Sequence, residues 1–179
     1  MILHPRSVLC AISLALAGCS QPPPLDRIVA TESPSALSHW RDRLGDALTT
    51  EQWQDFDEAL QEIQFKIKID APELTASDAV EAKMRERIAG HSVREVMRIG
   101  WETKLARLDA EGAQLETFLR MNAQAKPAGA QAAADFSNKV YTQVALLRAV
   151  DEEMERTGQK LDLLLQRPHV PHKPHGSLP

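Results

Sequence analysis

The sequence predicts an all-α protein in which short N-terminal helices pack on a long antiparallel helical hairpin. Along residues 33–166, apolar residues recur at steps of three and four, as they do on one face of a helix. Helix-capping residues precede several of these runs. Two long runs are joined by a segment with Pro and Gly, "NAQAKPAGAQAAA" at 122–134, which favours a turn between two antiparallel helices.

The chain begins with a short apolar segment that precedes this helical domain. Residues 8–17 are apolar and follow Arg6. The run is much shorter than the about 20 residues that a membrane-spanning helix needs. A positive charge, an apolar run and then small residues are typical of a secretory signal, which we predict over residues 1–18.

The end of this segment resembles the lipobox of bacterial lipoproteins. Four contiguous positions fit that pattern: Leu16, Ala17, Gly18 and Cys19. The resemblance implies cleavage between Gly18 and Cys19 and covalent lipid on Cys19. It also implies the outer membrane, because Ser20 stands where an Asp would favour retention in the inner membrane. Two or three acyl chains hold a protein stably on a bilayer.

Residues 19–32 are predicted to join the lipid to the domain as a Pro-rich tether. The prolines at 22–24 favour an extended chain of about 3.1 Å per residue, and the residues after them are expected to add flexible reach. Cys10 leaves with the signal and Cys19 carries lipid. The mature chain therefore has no thiol left for a disulfide.

Capping patterns predict where the first two helices begin. The first starts with Ser33 as N-cap and Pro34 as its first residue, where the missing N–H costs nothing. The second follows Thr49, which has the capping-box spacing with Gln52. Residues 65–69 alternate in polarity and could form a strand, but an isolated strand would have no partner. We therefore predict that the second helix continues through them.

Further breaks divide the rest of the domain. Pro72 interrupts the chain, and a third helix is predicted to begin with a cap within 75–78 and to close at Gly90. Ser92 and Glu95 have the capping-box spacing at the start of a fourth helix. The last helix carries an apolar seam with heptad spacing: Val140, Leu147, Met154 and Leu161.

This apolar seam can be buried in two ways. Within one chain it would pack on the fourth helix, where Leu105, Gly112 and Leu119 also approximate a heptad, with Gly112 as the weak member. In an extended coiled coil it would instead pack against a second copy, so a homodimer is the alternative.

Three blocks within residues 33–107 resemble a family of small helical bacterial lipoproteins of unknown function. The blocks are Leu48-Thr49-x-Glu51, Phe56-x-x-Ala59-Leu60 and Ile88-x-Gly90-x-Ser92-x-x-Glu95-Val96. The chain departs from that family at His91, where a lysine is usual. The resemblance implies helices that meet around Gly90, and it implies no activity.

Two features resemble parts of catalytic sites, but the sequence predicts structural roles for both. His91 falls in a predicted turn, with no acidic partner or nucleophile at a motif spacing. The acidic runs at 55–58 and 151–155 lie opposite the apolar stripes, as solvated faces do. We therefore predict no catalytic residue, no cofactor and no enzymatic activity. A cell-wall-active enzyme or inhibitor is an alternative, and an enzyme would require paired carboxylates in a cleft.

The C-terminal residues 167–179 form a tail rich in Pro and His. His169, His172 and His175 recur every three residues in "RPHVPHKPHG", and a polyproline conformation would bring them to one edge. Imidazoles bind zinc, copper and nickel. Successive edge residues would stand about 9 Å apart, too far for one ion without a bend. We therefore predict a disordered tail, with a metal site on these three histidines as the alternative.

Together these features predict an outer-membrane-anchored, periplasm-facing lipoprotein of unknown activity that binds a partner or has a structural role through its helical surfaces. The expected partners are the membrane, through lipid on Cys19, and a protein of the cell envelope. Nucleic acid is not expected, because 21 Lys and Arg against 25 Asp and Glu give a net charge of −4. An envelope metal-sequestering protein that uses the histidine tail is an alternative.

Overall fold

The structure is a computed structural model that describes residues 22–175. It confirms the all-α prediction. The elements are a 3₁₀ helix (Pro24–Asp26), α1 (Pro34–Gly45), α2 (Thr50–Asp70), α3 (Ser77–Ile88), α4 (Val93–Asn122) and α5 (Ala130–Leu164). Within residues 22–175 the β-structure consists of one isolated antiparallel bridge between Ile28 and Ser92. The predicted signal and the lipobox residues Gly18 and Cys19 lie outside the described residues.

Capping side chains begin α1, α2 and α4 as the sequence predicts. The Ser33 hydroxyl accepts a hydrogen bond from the N–H of Ala36 at 3.0 Å. Thr49 with Gln52, and Ser92 with Glu95, form complete capping boxes. Because each cap satisfies an otherwise unpaired backbone donor, it stabilises its helix by about 1 kcal/mol. The helix starts are therefore set by residues close to them in sequence.

The segments around α3 match the prediction in part. The predicted cap within 75–78 is wrong, because α3 begins after Ala76 without a capping side chain. The carboxylate of Asp78 instead accepts the N–H of Ala79. α2 continues to Asp70, so residues 65–69 are helical as predicted. Gly90 follows α3 with a φ of +77°, a conformation that favours glycine.

The main core lies where α1, α2 and α3 cover the first part of α4. It is built from aliphatic and aromatic side chains that include Phe56, Ile63, Ile88, Val93 and Val96. The core includes Trp101 of α4 but no fully buried residue beyond it on that helix. From α5 it takes only residues at the end, Leu161 and Leu164. The rest of the hairpin therefore extends past the main core.

α2 and α4 cross at very short range where two small residues meet. A Cβ added to Gly100 would lie 2.5 Å from Cα of Ala59 and 2.6 Å from its carbonyl oxygen. Real Cβ atoms do not approach other atoms so closely, so this crossing requires glycine at position 100.

α4 and α5 form the predicted antiparallel hairpin. The seam residues Leu147, Met154 and Leu161 are buried, and Leu108 of α4 packs with Val150 and Met154 in a second, smaller cluster. Val140, the first seam residue, is only half-buried. The seam from Leu147 onward is thus covered within one chain. The connection is shorter than the predicted 122–134 segment, because Ala-rich sequence with high helix propensity extends α5 back to Ala130.

A buried lysine joins the three longest helices. Lys104 of α4 is 6% exposed and donates hydrogen bonds to Glu58 of α2 and Glu153 of α5. Lys160 of α5 also donates to Glu58, at 3.2 Å, and to Asp55, at 2.7 Å. Burial alone would lower the pKa of Lys104, but its hydrogen bonds to Glu153 and Glu58 outweigh burial and raise it. We call these five residues the lysine network.

Candidate functional site

The N-terminal segment packs on the domain from Leu25 onward, where the Leu25 side chain lies against the main core. Val29 is 2% exposed, and its N–H donates to the carbonyl of His91 at 2.9 Å. The N–H of Val93 donates to the carbonyl of Arg27 at 3.0 Å. From Leu25 onward, the segment predicted as a tether therefore lies on the domain, because Leu25 and Val29 reach the core and the α3–α4 turn offers backbone partners.

One arginine ties this segment to both helices of the hairpin. The Nε of Arg94, in the first turn of α4, donates to Asp26 at 3.0 Å. Another nitrogen of its guanidinium donates to the carbonyl of Leu164, the last residue of α5, at 3.0 Å. The start of α4 and the end of α5, which we call the base of the hairpin, thus lie beside the N-terminal segment.

The C-terminal tail runs back along α5. Gln166 has a φ of +53° and turns the chain after α5. Asp162 fixes the chain after this turn through two contacts with Arg167. The backbone carbonyl of Asp162 accepts the N–H of Arg167 at 3.0 Å, and its carboxylate pairs with the Arg167 guanidinium. The structure places residues 167–175 along α5. His169, His172 and His175 are half-buried, whereas the residues between them are exposed: Val170, Pro171, Lys173 and Pro174.

The tail packs on a row of carboxylates along α5. Asp151, Glu155 and Asp162 stand at i, i+4 and i+11, which places them on one face of the helix, and we call them the acidic stripe. His169 bonds to Asp162 through Nδ1 and to Glu155 through Nε2, both at 2.8 Å. The backbone N–H of His172 donates to Glu155 at 2.9 Å. The histidines at every third position of the tail thus lie beside successive carboxylates of the acidic stripe.

These contacts favour the charged forms of the groups that make them. Hydrogen bonds to Asp162 and then to Glu155 raise the pKa of His169. The pKa of the Asp162 carboxyl is lowered, first by its hydrogen bond from Arg167 and then by His169. The first two thirds of the tail are therefore held mainly by ion pairs and hydrogen bonds.

Asp151, His172 and His175 meet near the end of the described tail. The Nδ1 of His175 lies 2.6 Å from Oδ1 of Asp151, and the Nε2 of His172 lies 3.7 Å from the same oxygen. The two imidazole centroids are 5.5 Å apart, and one ligand atom from each of the three residues lies within 4.8 Å of the others. These three side chains can hold one metal ion. The predicted set of three histidines is not brought together, because His169 binds elsewhere on the stripe.

Gly112 of α4 makes room for the last of these histidines. The side chain of His175 is only 10% exposed. A Cβ at position 112 would lie 2.8 Å from its Nδ1 and still closer to the rest of the ring. The weak member of the predicted heptad on α4 is thus the position on which the tail rests.

Sequence reasoning did not identify Asp151 or Gly112 as part of a site. The run at 151–155 has the pattern of a solvated face, and Gly112 is a weak position in the predicted seam. One signal was available, because carboxylates at i, i+4 and i+11 share a helix face while histidines at steps of three share an edge of an extended chain.

A separate apolar groove lies between α2 and α4. It has a volume of about 980 Å³, and its lining includes Phe65, Ile69 and Ile99, with Arg107 among its charged residues. His91 also lines it, in the predicted turn, with Nδ1 3.7 Å from a carboxylate oxygen of Glu95. The groove offers apolar surface next to charged groups.

Comparison with known proteins adds no relative to this description. No protein-family model matches the chain. No curated protein matches it, and no solved structure matches it. The fold therefore defines only a class, an all-α protein built on a helical hairpin. Among the described helices, none is long and apolar enough to cross a membrane.

Proposed function

We propose that this protein is a bacterial lipoprotein of the outer membrane that holds a helical binding module close to the bilayer, facing the periplasm. The lipobox-like residues 16–19 support the anchor. The observation that carries the rest is that Leu25, six residues after Cys19, already packs against the main core. Six residues reach about 22 Å at most. The base of the hairpin would therefore lie within that distance of the membrane, without a long stalk.

The hairpin gives this module its reach. α4 has 30 residues, so it carries the turn at 123–129 about 45 Å from the base. Large apolar side chains stand exposed in the part of the hairpin beyond the main core: Met121, Tyr141 and Leu146. Exposed aromatic and apolar side chains are common contact residues in protein interfaces. We propose that this part of the hairpin contacts a protein of the cell envelope.

The anchor is tested by metabolic labelling with an alkyne-bearing fatty acid in a bacterial host. Cys19→Ala is expected to lose the label, the shift to mature size and membrane association. Cys10→Ala is the matched control and should retain all three, because residue 10 leaves with the signal. Equal labelling of both variants, or of neither the parent nor the variants, would refute the lipoprotein proposal.

The contact surface is tested by placing a photo-crosslinking amino acid at Tyr141, on the outer hairpin, or at Leu163, at the base. Both side chains are more than three-quarters exposed. The proposal expects one envelope protein to be captured from position 141 and not from position 163, and only when the protein is anchored. Capture of the same protein from both positions would contradict a contact through the outer hairpin. A product of twice the mass would identify a second copy as the partner.

The carboxyl groups with shifted pKa values suit a structural role rather than that of a general acid. A glycan-cleaving enzyme needs a general acid whose pKa is raised. In the described chain, the pKa values of the Glu58, Glu95, Glu155 and Asp162 carboxyls are lowered. Each of these groups accepts hydrogen bonds or pairs with a cation, which suits a structural role.

A further inference from the structure

We propose that Asp151, His172 and His175 form a binding site for a divalent transition-metal ion, for which Zn²⁺ is the reference probe. The site lies on α5 and the docked tail. It goes beyond the anchoring role and does not depend on it, because none of its three residues belongs to the N-terminal segment.

The first argument is an unsatisfied nitrogen. The Nε2 of His172 is buried and has no hydrogen-bond partner among residues 22–175. Buried polar atoms are nearly always paired, so an exception needs a physical explanation. This nitrogen lies 3.7 Å from Oδ1 of Asp151, which His175 already contacts. A cation between these atoms would give the nitrogen a partner.

The second argument is geometric. Tetrahedral ligands that are about 2.0–2.2 Å from zinc stand about 3.3–3.6 Å from one another. The 3.7 Å separation of His172 and Asp151 is close to that spacing. The 2.6 Å hydrogen bond between His175 and Asp151 is shorter, so the ion would replace this hydrogen bond as the two groups move apart. For this pair the movement required is less than about 1 Å by the same ligand spacing. The two imidazole ligand atoms start within 4.8 Å of each other.

The third argument is that surrounding groups hold the ligands in place. Glu155 fixes the backbone of His172, and the surface at Gly112 receives the ring of His175. Asp109 of α4 lies 3.9 Å from the Nε2 of His175. When Nδ1 binds the metal, a small rotation would let Nε2–H donate to that carboxylate, and such outer contacts orient metal-binding histidines.

The ligand types decide the class of metal. Two imidazoles and one carboxylate suit zinc, copper and nickel, whereas magnesium and calcium prefer oxygen ligands throughout. Three protein ligands leave a position for water, so the ion can exchange with solution. The expected ligand is therefore a reversibly bound transition-metal ion, and its binding would fasten the tail to α5.

The test uses the full chain with Cys10→Ser and Cys19→Ser, so that no thiol competes, purified in detergent without a histidine tag. Zn²⁺ is titrated by calorimetry, Co²⁺ by its visible spectrum, and Mg²⁺ serves as the negative control. We expect one equivalent of Zn²⁺ or Co²⁺ to bind. Loss of a residue that only supports a metal ligand weakens binding about 10- to 100-fold. We expect at least this loss of affinity from each ligand substitution: Asp151→Asn, His172→Ala and His175→Ala.

His169→Ala is the matched control, because it removes a tail imidazole outside the three ligands and should change the affinity only a few-fold. Circular dichroism checks that each variant retains its helices. The proposal fails if Asp151→Asn binds like the parent, since the tail would then chelate without α5. It also fails if His169→Ala loses as much affinity as His172→Ala, or if the parent shows no saturable binding of one ion.

Discussion

Two glycines of α4 sit in contrasting surroundings, and they separate two ways of holding this molecule together. Gly100 lies against Ala59 of α2, in the main core region that we call the body. Gly112 lies further along α4, where it contacts the imidazole of His175 from the polar tail. At the first position two helices approach because both side chains are small. At the second, a helix surface admits one side chain from a distant segment. Close packing holds the body, and polar complementarity holds the tail.

The largest loss of stability is expected from a substitution of Gly100, in the body. Gly100→Ala would place Cβ 2.5 Å from Ala59 Cα, so α2 and α4 must move apart. Overpacking of this kind costs about 1–3 kcal/mol of unfolding free energy, and we expect the upper end because backbone cannot rotate away. Urea unfolding followed by circular dichroism measures the loss. Gly45→Ala is the control, since its Cβ would meet nothing within 4 Å. Equal stability of the two variants would contradict the tight crossing.

The lysine network joins the body to α5. Its loss should cause the second-largest decrease in the free energy of unfolding. Lys104→Met leaves Glu58 and Glu153 facing each other without their shared cation. Removing one partner of a buried pair can cost 3–5 kcal/mol, but these carboxylates are about one third exposed, so we expect about 2 kcal/mol. Adding Glu58→Gln and Glu153→Gln should restore most of it. If the triple variant is no more stable than Lys104→Met, repulsion between the carboxylates is not the cause.

The same contrast explains how far the sequence could predict this structure. The capping box of Ser92 and Glu95, and the buried seam residue Met154, follow from neighbours a few residues away. The docking of Val29 on the carbonyl of His91, and of His175 on Asp151, joins residues far apart in sequence. Periodicity assigned Asp151 to a solvated face because it reports which side of a helix is polar. It does not report what later segment covers that side.

A substitution of Gly112, the α4 residue that contacts the tail, should affect stability in the opposite direction to the same substitution of Gly100. Gly112→Ala adds a good helix former inside α4, which stabilises a helix by about 0.5–1 kcal/mol. The new Cβ would also displace the ring of His175. We therefore expect unchanged or higher stability in urea together with Zn²⁺ affinity lowered at least tenfold, a margin of about the size seen for lost supporting contacts. A variant that binds Zn²⁺ like the parent would show that His175 does not need the surface at Gly112.

The smallest expected effect is a pH dependence of how firmly the metal-free tail docks on α5. The pKa of His169 is raised by Asp162 and Glu155, so its ion pairs help to dock the tail below the ordinary histidine pKa of about 6.5. That contribution is lost as the pH rises through the higher pKa of the docked state. In EDTA, amide hydrogen exchange of residues 167–175, corrected for intrinsic rates, should show less protection at pH 9 than at pH 6. His169→Gln should reduce this difference, because glutamine keeps hydrogen-bonding capacity but does not titrate. Part of the difference should remain, because the hydrogen bond to Asp151 also raises the pKa of His175. If His169→Gln leaves the pH dependence unchanged, another group controls how firmly the tail is held.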